Sequence, residues 1–313
     1  MRWPWSATTP SGASSSGGWR SSPESRVDAI GVTGASGGVG SRVVRHLLAR
    51  AARPPVVALA RRADAVPDAA RVTVRSADYD DPSSLRSAFS GVRTLVFVSS
   101  DGVAEPMRRH HEHVIAAAID AGVEHVVYTS IVDVSPDSGF YYAAVHRETE
   151  ALLAESGLDH CLARTSSFAD FFVSTWVATA LGEGTLALPA DAGRMSLLGR
   201  EDAARALAVA AVSRCEGIVE LTGPAALTAG EISRITEAET GRRLRYVSLE
   251  EDAYRQRLAG DRAPGWLIDA FTSMFASVEE GRFEVVSADV PRLTGEPQQS
   301  YAEFIRSAVL EPA

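Results

Sequence analysis

The chain has 313 residues, 45% of them hydrophobic, and a formal net charge of −9, so it carries apolar material for one large core or two modest ones. The acidic balance excludes the clustered positive surface of a nucleic-acid binder, and no run reaches the eighteen or more apolar residues of a membrane-crossing helix. Two cysteines, Cys161 and Cys215, support neither a disulfide framework nor a metal site, and a reducing cytoplasm is the simplest setting.

Residues 1–26 are rich in Ser, Gly, Thr and Pro and lack the apolar segment of a secretory signal. They read as a disordered leader. Residues 27–32 then have the length and apolarity of a buried parallel strand. Val39, Val43, Val44, Leu47, Leu48 and Ala51 recur at helical spacing beyond it. Between the two lies Thr33-Gly34-x-x-Gly37-x-x-Gly40. Strand, glycine turn and helix open a βαβ unit, whose helix N-terminus offers free N–H groups and partial positive charge to a phosphate. Gly34 suits the tight turn, Gly37 a close approach to a pyrophosphate, and Gly40 the packing of helix on strand. The spacing is one residue wider than the G-x-G-x-x-G of most dinucleotide dehydrogenases.

The next strand, residues 56–60, ends at Arg61-Arg62. An NAD site places an Asp or Glu about there, on the ribose 2′-hydroxyl. Guanidinium forks match phosphate oxygens instead, so the cofactor expected is NADP(H). Asp64, slightly further on, could still hold a ribose, so NAD is disfavoured without being excluded, and two solvated arginines are the plain alternative. A strand at 71–76 leads to Asp78-Tyr79, and Asp81-Pro82 cap and start a helix. A strand at 94–98 ends at Ser99-Ser100, a helix spans 105–121, and a strand at 123–129 ends at Thr129-Ser130. A helix at 143–155 and a strand at 160–163 follow. This alternation predicts an α/β fold, a doubly wound, Rossmann-like parallel sheet. Ligands in such sheets sit outside the carboxyl ends of the strands. The glycine turn, Arg61, Ser99, Ser130 and the segment after Ala163 are therefore expected to converge on one cleft.

Past residue 165 the rhythm changes. Phe168, Phe171, Phe172 and Trp176 fall on one helical face, either as core or as the wall of a pocket for a flat apolar substrate. A helix at 201–212 and a returning strand at 218–222 follow. Thr228 and Glu231 then form a capping-box pattern for a helix ending at 240. A strand at 244–249 precedes helices that stop at Leu293-Thr294-Gly295. The organisation expected is a leader (1–26), an NADP-binding core (27–165, with the returning strand) and a smaller irregular α/β lobe covering the substrate (166–313).

The glycine pattern after Thr33, Arg61 behind the second strand, Asp78-Tyr79, Tyr128-Thr129-Ser130, His146-x-x-x-Glu150 and LTGEPQQSYAEF near the end together resemble the NmrA-like branch of the atypical short-chain dehydrogenase/reductases. The resemblance spans roughly residues 27–308 and is nearest to that branch's NADPH-dependent quinone and triphenylmethane-dye reductases. It implies that Thr33, Gly34, Ala35, Ser36, Gly37, Gly38 and Val39 cradle the pyrophosphate. Arg61, with Arg62 beside it, would take the 2′-phosphate. Ser99 and His146 would lie along the nicotinamide half, with Asp78, Ser100 and Thr129 completing the set of cofactor contacts.

The wider superfamily donates a proton from a Tyr four residues before a Lys, with a Ser ending the preceding strand. All 31 basic residues here are arginine, and the spacing survives as Tyr142-x-x-x-His146 with Ser130. Tyr142, His146 and Ser130 are accordingly the candidate catalytic residues, Tyr142 delivering a proton to a carbonyl oxygen. In the reductases most resembled, the histidine belongs to the pattern and the tyrosine does not. The alternative is that Tyr142 lines the helix start and His146 only binds ribose. His110, His111 and His113 do not share one helix face, so no metal is expected.

The activity expected is reduction of a quinone-like, polycyclic aromatic or conjugated carbonyl compound, with a place in secondary metabolism open to it. A non-catalytic NADP sensor of the NmrA type, and a non-redox biosynthetic enzyme retaining the nucleotide, are the alternatives. A small-molecule substrate is the expected partner, with no nucleic acid and no membrane, and the chain is either a monomer or a homodimer.

Overall fold

The computed structural model describes residues 29–50, 55–66 and 72–310; the leader expected at 1–26 lies outside them. The first half alternates as expected: β1 (Ala29–Val32), α1 (Gly40–Ala49), β2 (Val56–Ala60), β3 (Thr73–Ser76), α2 (Pro82–Ala88), β4 (Val92–Phe97), α3 (Ala104–Ala121), β5 (His125–Ile131), α4 (Ala143–Glu155) and β6 (Asp159–Thr165). The second half holds α5 (Ala169–Phe172), a π-helical turn (Val173–Val177), α6 (Ala178–Glu183), β7 (Thr185–Leu188), β8 (Arg194–Met195), α7 (Arg200–Ser213), β9 (Gly217–Leu221) and β10 (Leu227–Thr228). It closes with α8 (Ala229–Thr240), β11 (Arg245–Ser248), α9 (Glu251–Gly260), α10 (Gly265–Glu279), α11 (Asp289–Thr294) and α12 (Tyr301–Leu310).

Seven strands form one sheet in the order β3-β2-β1-β4-β5-β6-β9, and every neighbouring pair is parallel. This is the doubly wound order with one strand added, and its reversal point lies between β1 and β4. Both faces are covered, so central strands read as continuous apolar runs; β2 is buried at all five positions. Alternate residues serve opposite faces. Ile30, Val32, Val96 and Val127 pack against α1 and α7, while Leu59, Leu95, Phe97 and Tyr128 pack against α2, α3 and α4. Leu47 and Leu95 are fully buried, and truncating either to alanine costs about 2–5 kcal/mol.

The helix starts follow local chemistry. Asp81 accepts hydrogen bonds from the Ser83 and Ser84 amides ahead of Pro82. Thr228 and Glu231 close the capping box of α8. One boundary is corrected: α7, expected in the covering lobe, lies on the sheet beside α1. Its alanines at 203, 204, 206, 208, 210 and 211 are all buried in the first core, and such small side chains let a helix lie close to a strand layer. The other core is built from α5, the π turn, α6, β7, α8 and α10, and holds Phe172, Trp176, Tyr254, Phe271 and Phe275. Within it β11 pairs with β7 in parallel and β10 with β8 in antiparallel fashion. No helix among the described residues is long and apolar enough to cross a membrane.

Candidate active site

The glycine turn joins β1 to α1 at the sheet's reversal point. The Thr33 hydroxyl, fully buried, accepts the Val98 amide at 2.9 Å and ties the end of β1 to the end of β4. Gly34 has φ +59°, a left-handed conformation open to glycine, and its carbonyl accepts the Gly37 amide at 2.8 Å. A Cβ on Gly40 would lie 2.7 Å from the Thr33 carbonyl oxygen and closer still to that of Gly34. Only hydrogen fits there. Helix α1 then begins with no side-chain cap and no acidic residue in its first turn. The Ser41 and Val43 amides bond back to Gly37 and Val39, and no side chain competes with an anion for the helix dipole, which fits a dinucleotide's pyrophosphate.

Two further cations face this turn. Arg61, exposed, follows β2. Arg200 begins α7, with its Cδ and Nε 3.2 and 3.3 Å from where a Gly38 Cβ would stand. The Arg200 guanidinium sits 5.3 Å from the Phe168 ring centre, and burial lowers its pKa from the usual value. Asp101, at the carboxyl end of β4, interacts electrostatically with both Arg61 and Arg200, so the two guanidiniums share one rim. Arg42 donates to the Gly38 carbonyl at 2.6 Å and steadies the turn. Sequence reading missed Arg200 because its helix had been assigned to the other lobe; the signal available was a lone arginine at a helix start after Gly199.

The remaining strand ends are laced together. The Ser99 amide donates to the Thr129 hydroxyl at 2.8 Å. Ser100 bonds His110 Nδ1 at 3.1 Å, and His110 Nε2 bonds Asp80 at 3.0 Å. His113 bonds the Tyr79 carbonyl at 2.8 Å and His111 bonds Thr149, so the three histidines share no partner. The Asp78 amide donates to Ser84. Arg62 is exposed beside Arg61.

The Tyr142-x-x-x-His146 pairing read from the sequence is not formed. Tyr142 stands before the first turn of α4 and donates its hydroxyl to the Gly102 carbonyl at 3.1 Å. Burial holds its pKa above the usual phenol value, opposite to the shift a proton donor needs at neutral pH. His146 instead bonds the Tyr128 hydroxyl through Nδ1 at 2.8 Å. Burial lowers its pKa to about 3, so the ring is neutral. Ser130 donates to Glu150 at 2.6 Å, and Arg164 grips the same carboxylate at 3.0 and 2.6 Å. Its hydroxyl is therefore committed to a buried ion pair between α4 and β6.

The aromatic stripe also divides. Phe172 and Trp176 are core, Trp176 donating its indole N–H to the Tyr254 hydroxyl at 2.9 Å. The π turn from Val173 to Val177 breaks the 3.6-residue period that had put all four rings on one face. Phe168 and Phe171 remain half-buried, Phe168 under Arg200 and Phe171 edge-on to Trp176 and Phe271. Ile131 and Val132, at the end of β5, and Tyr142 are half-buried too. They pack against the same core as Phe171.

Residues 34–208 match the family model described as NAD(P)H-binding. The chain is 32% identical over 282 residues to quinone oxidoreductase 2 of Escherichia coli K12, covering 88% of this chain and 97% of that protein. A crystal structure of the NADPH-dependent quinone oxidoreductase from Escherichia coli, complexed with NADPH, superposes with a TM-score of 0.82 at 29% identity, over 88% of this chain and 98% of that one. The NAD(P)H azoreductase of Xenophilus azovorans is 31% identical, covering 88% of this chain and 96% of that protein. The Citrobacter sp. triphenylmethane reductase complexed with NADP(H) gives a TM-score of 0.81 at 26% identity, over 90% of this chain and all of that one. With its seven-stranded parallel sheet and uncapped glycine turn, the chain belongs to the NAD(P)H-binding, NmrA-like family of oxidoreductases.

Proposed function

We propose that this oxidoreductase uses NADPH to reduce a flat, electron-poor acceptor of the quinone class. When bound, the cofactor supplies a hydride from its nicotinamide ring. The glycine turn and the first amides of α1 hold the pyrophosphate, Arg61 takes the 2′-phosphate, and Arg200 reaches the pyrophosphate from α7. Ser99, Thr129 and His146 stand at the nicotinamide half. Ile131, Val132, Tyr142 and Phe171 form an apolar wall against which a planar acceptor stacks and from which water is displaced. The relatives named as quinone and azo-compound reductases support this substrate class.

One observation carries the reading. Neither candidate donor is poised as an acid: Tyr142 donates its hydroxyl to the Gly102 carbonyl with its pKa raised, and His146 is neutral. A simple ketone needs a proton as hydride arrives. A quinone accepts the hydride into a delocalised anion and takes its proton from water afterwards. The test is NADPH oxidation, followed at the nicotinamide absorbance band, with a panel of quinones and unconjugated ketones. Turnover with quinones and none with ketones is expected; a preference for ketones contradicts the reading. Tight NADPH binding with no turnover of any acceptor favours the sensor alternative.

A further inference from the structure

Behind His146 lies a chain of buried polar groups whose protons have one consistent arrangement. Thr149 donates its hydroxyl hydrogen to the Val145 carbonyl at 2.7 Å. Its oxygen must then accept the contact from His111 Nδ1 at 2.8 Å, so His111 carries its proton on Nδ1. His111 Nε2 is sealed from solvent without a partner, which suits a bare nitrogen, since an N–H there would be an orphaned donor. The Tyr128 hydroxyl, in a fully buried side chain, lies 3.4 Å from His111 Nδ1 and 2.8 Å from His146 Nδ1. With His111 Nδ1 already protonated, the acceptor left to the phenol is His146 Nδ1. The reverse, an N–H of His146 donating to Tyr128, would leave the phenol hydrogen only the Thr149 oxygen, which already accepts from His111 Nδ1.

The geometry assigns Tyr128 as the residue that fixes the tautomer of His146, by donating to Nδ1 and so placing the ring's proton on Nε2, where it serves as a neutral hydrogen-bond donor to the nicotinamide half of the cofactor. Tyr128 touches neither cofactor nor acceptor; it is a positioning residue acting through His146. His146 Nε2 is not among the sealed, unpartnered atoms of the described residues, and it is the atom through which the proposed contact to the cofactor is made. The role deepens the reading above and rests on it for the identity of the ligand, but the tautomer does not depend on that ligand.

The experiment is nitrogen NMR on protein carrying ¹⁵N-labelled histidine, free and with NADPH, alongside calorimetric titration of NADPH. In the unmutated protein, His146 is expected as a single Nε2–H tautomer. Tyr128→Phe is expected to give averaged nitrogen shifts and to weaken NADPH about two- to tenfold, the range of one neutral hydrogen bond. In a His146→Ala background the same Tyr128→Phe change is expected to leave NADPH affinity unaltered, although any cost in melting temperature persists in both backgrounds. An Nδ1–H tautomer in the unmutated protein overturns the assignment, as does an equal loss of affinity with and without His146. Absence of quinone turnover with the Nε2–H tautomer intact would count against the proposed reaction and leave Tyr128's role standing.

Discussion

The cofactor half and the acceptor half of this cleft are built in different ways. Around the glycine turn, backbone does the binding: Gly34 in a left-handed conformation, Gly40 with no room for a Cβ, and an uncapped helix start. The cations there are Arg61 and Arg200. On the acceptor side the decisive groups are side chains of Tyr128, Tyr142, His146 and Phe171, oriented by contacts 18 to 40 residues away in sequence where hydrogen bonds hold them. The first half follows from a short motif, whereas the second follows from how layers pack.

The sharpest way to break the cofactor half is Gly40→Ala. The clash is with backbone carbonyls that no side-chain rotation relieves, and overpacking of this kind costs about 1–3 kcal/mol. The displacement falls on the amides that hold the pyrophosphate. NADPH affinity is expected to drop about a hundredfold by calorimetry, with quinone turnover lost in parallel; unchanged affinity would mean the turn is not the anion site.

Next in size are the two arginines, and they separate by ligand. Arg61→Ala should remove the preference for NADPH over NADH, a loss of about tenfold to a hundredfold in NADPH affinity alone, from the roughly 1.5–3 kcal/mol of a hydrogen bond to a charged group. Arg200→Ala should weaken both nucleotides to a similar degree, because the pyrophosphate is common to them. A selective loss of NADPH in the Arg200 variant would exchange the two roles.

The acceptor half responds to pH where the arginines do not. An unfolded histidine titrates near 6.5, while burial lowers His146 to about 3 and pushes His111 down as well. Below pH 6.5 the unfolded chain therefore binds protons that the folded one refuses. The stability from keeping these rings neutral is complete above pH 6.5 and is lost as pH falls, toward 3 for His146, by up to about 1.4 kcal/mol per pH unit for each histidine. Urea unfolding at pH 7.5, 6.5 and 5.5 measures the slope, and His146→Ala should remove one histidine's share. An unchanged slope in that variant would place His146 in water.

How much of this was legible in the sequence follows the same division. The alternation of strands and helices, the capping box at Thr228 and the turn at Gly34 rest on local rules of period, cap and φ, and the residues carry those rules openly. Helix α7 was misassigned because an alanine-rich helix shows little contrast between its faces, and Arg200 was lost with it. Phe172 and Trp176 could not be told from Phe168 and Phe171, since the spacing shows neither where α5 begins, after Phe168, nor the π turn that carries Trp176. Tyr142 and His146 are four apart and joined by a helical backbone bond, yet their side chains take separate partners, Gly102 and Tyr128. Tyr128, which the sequence marks only as part of a motif, is the residue His146 contacts.

The smallest expected effect is also the most direct test of the central claim, that the chain positions cofactor and acceptor without supplying a proton from Tyr142. It is the single-turnover rate of hydride transfer to a quinone at saturating NADPH, compared between the unmutated protein and Tyr142→Phe, so that product release does not hide the chemical step. The account predicts rates within about twofold, because the lost hydroxyl was bonded to a backbone carbonyl. A fall of about 10²–10⁴-fold, the range for removing a general acid, would contradict it and return Tyr142 to the catalytic machinery.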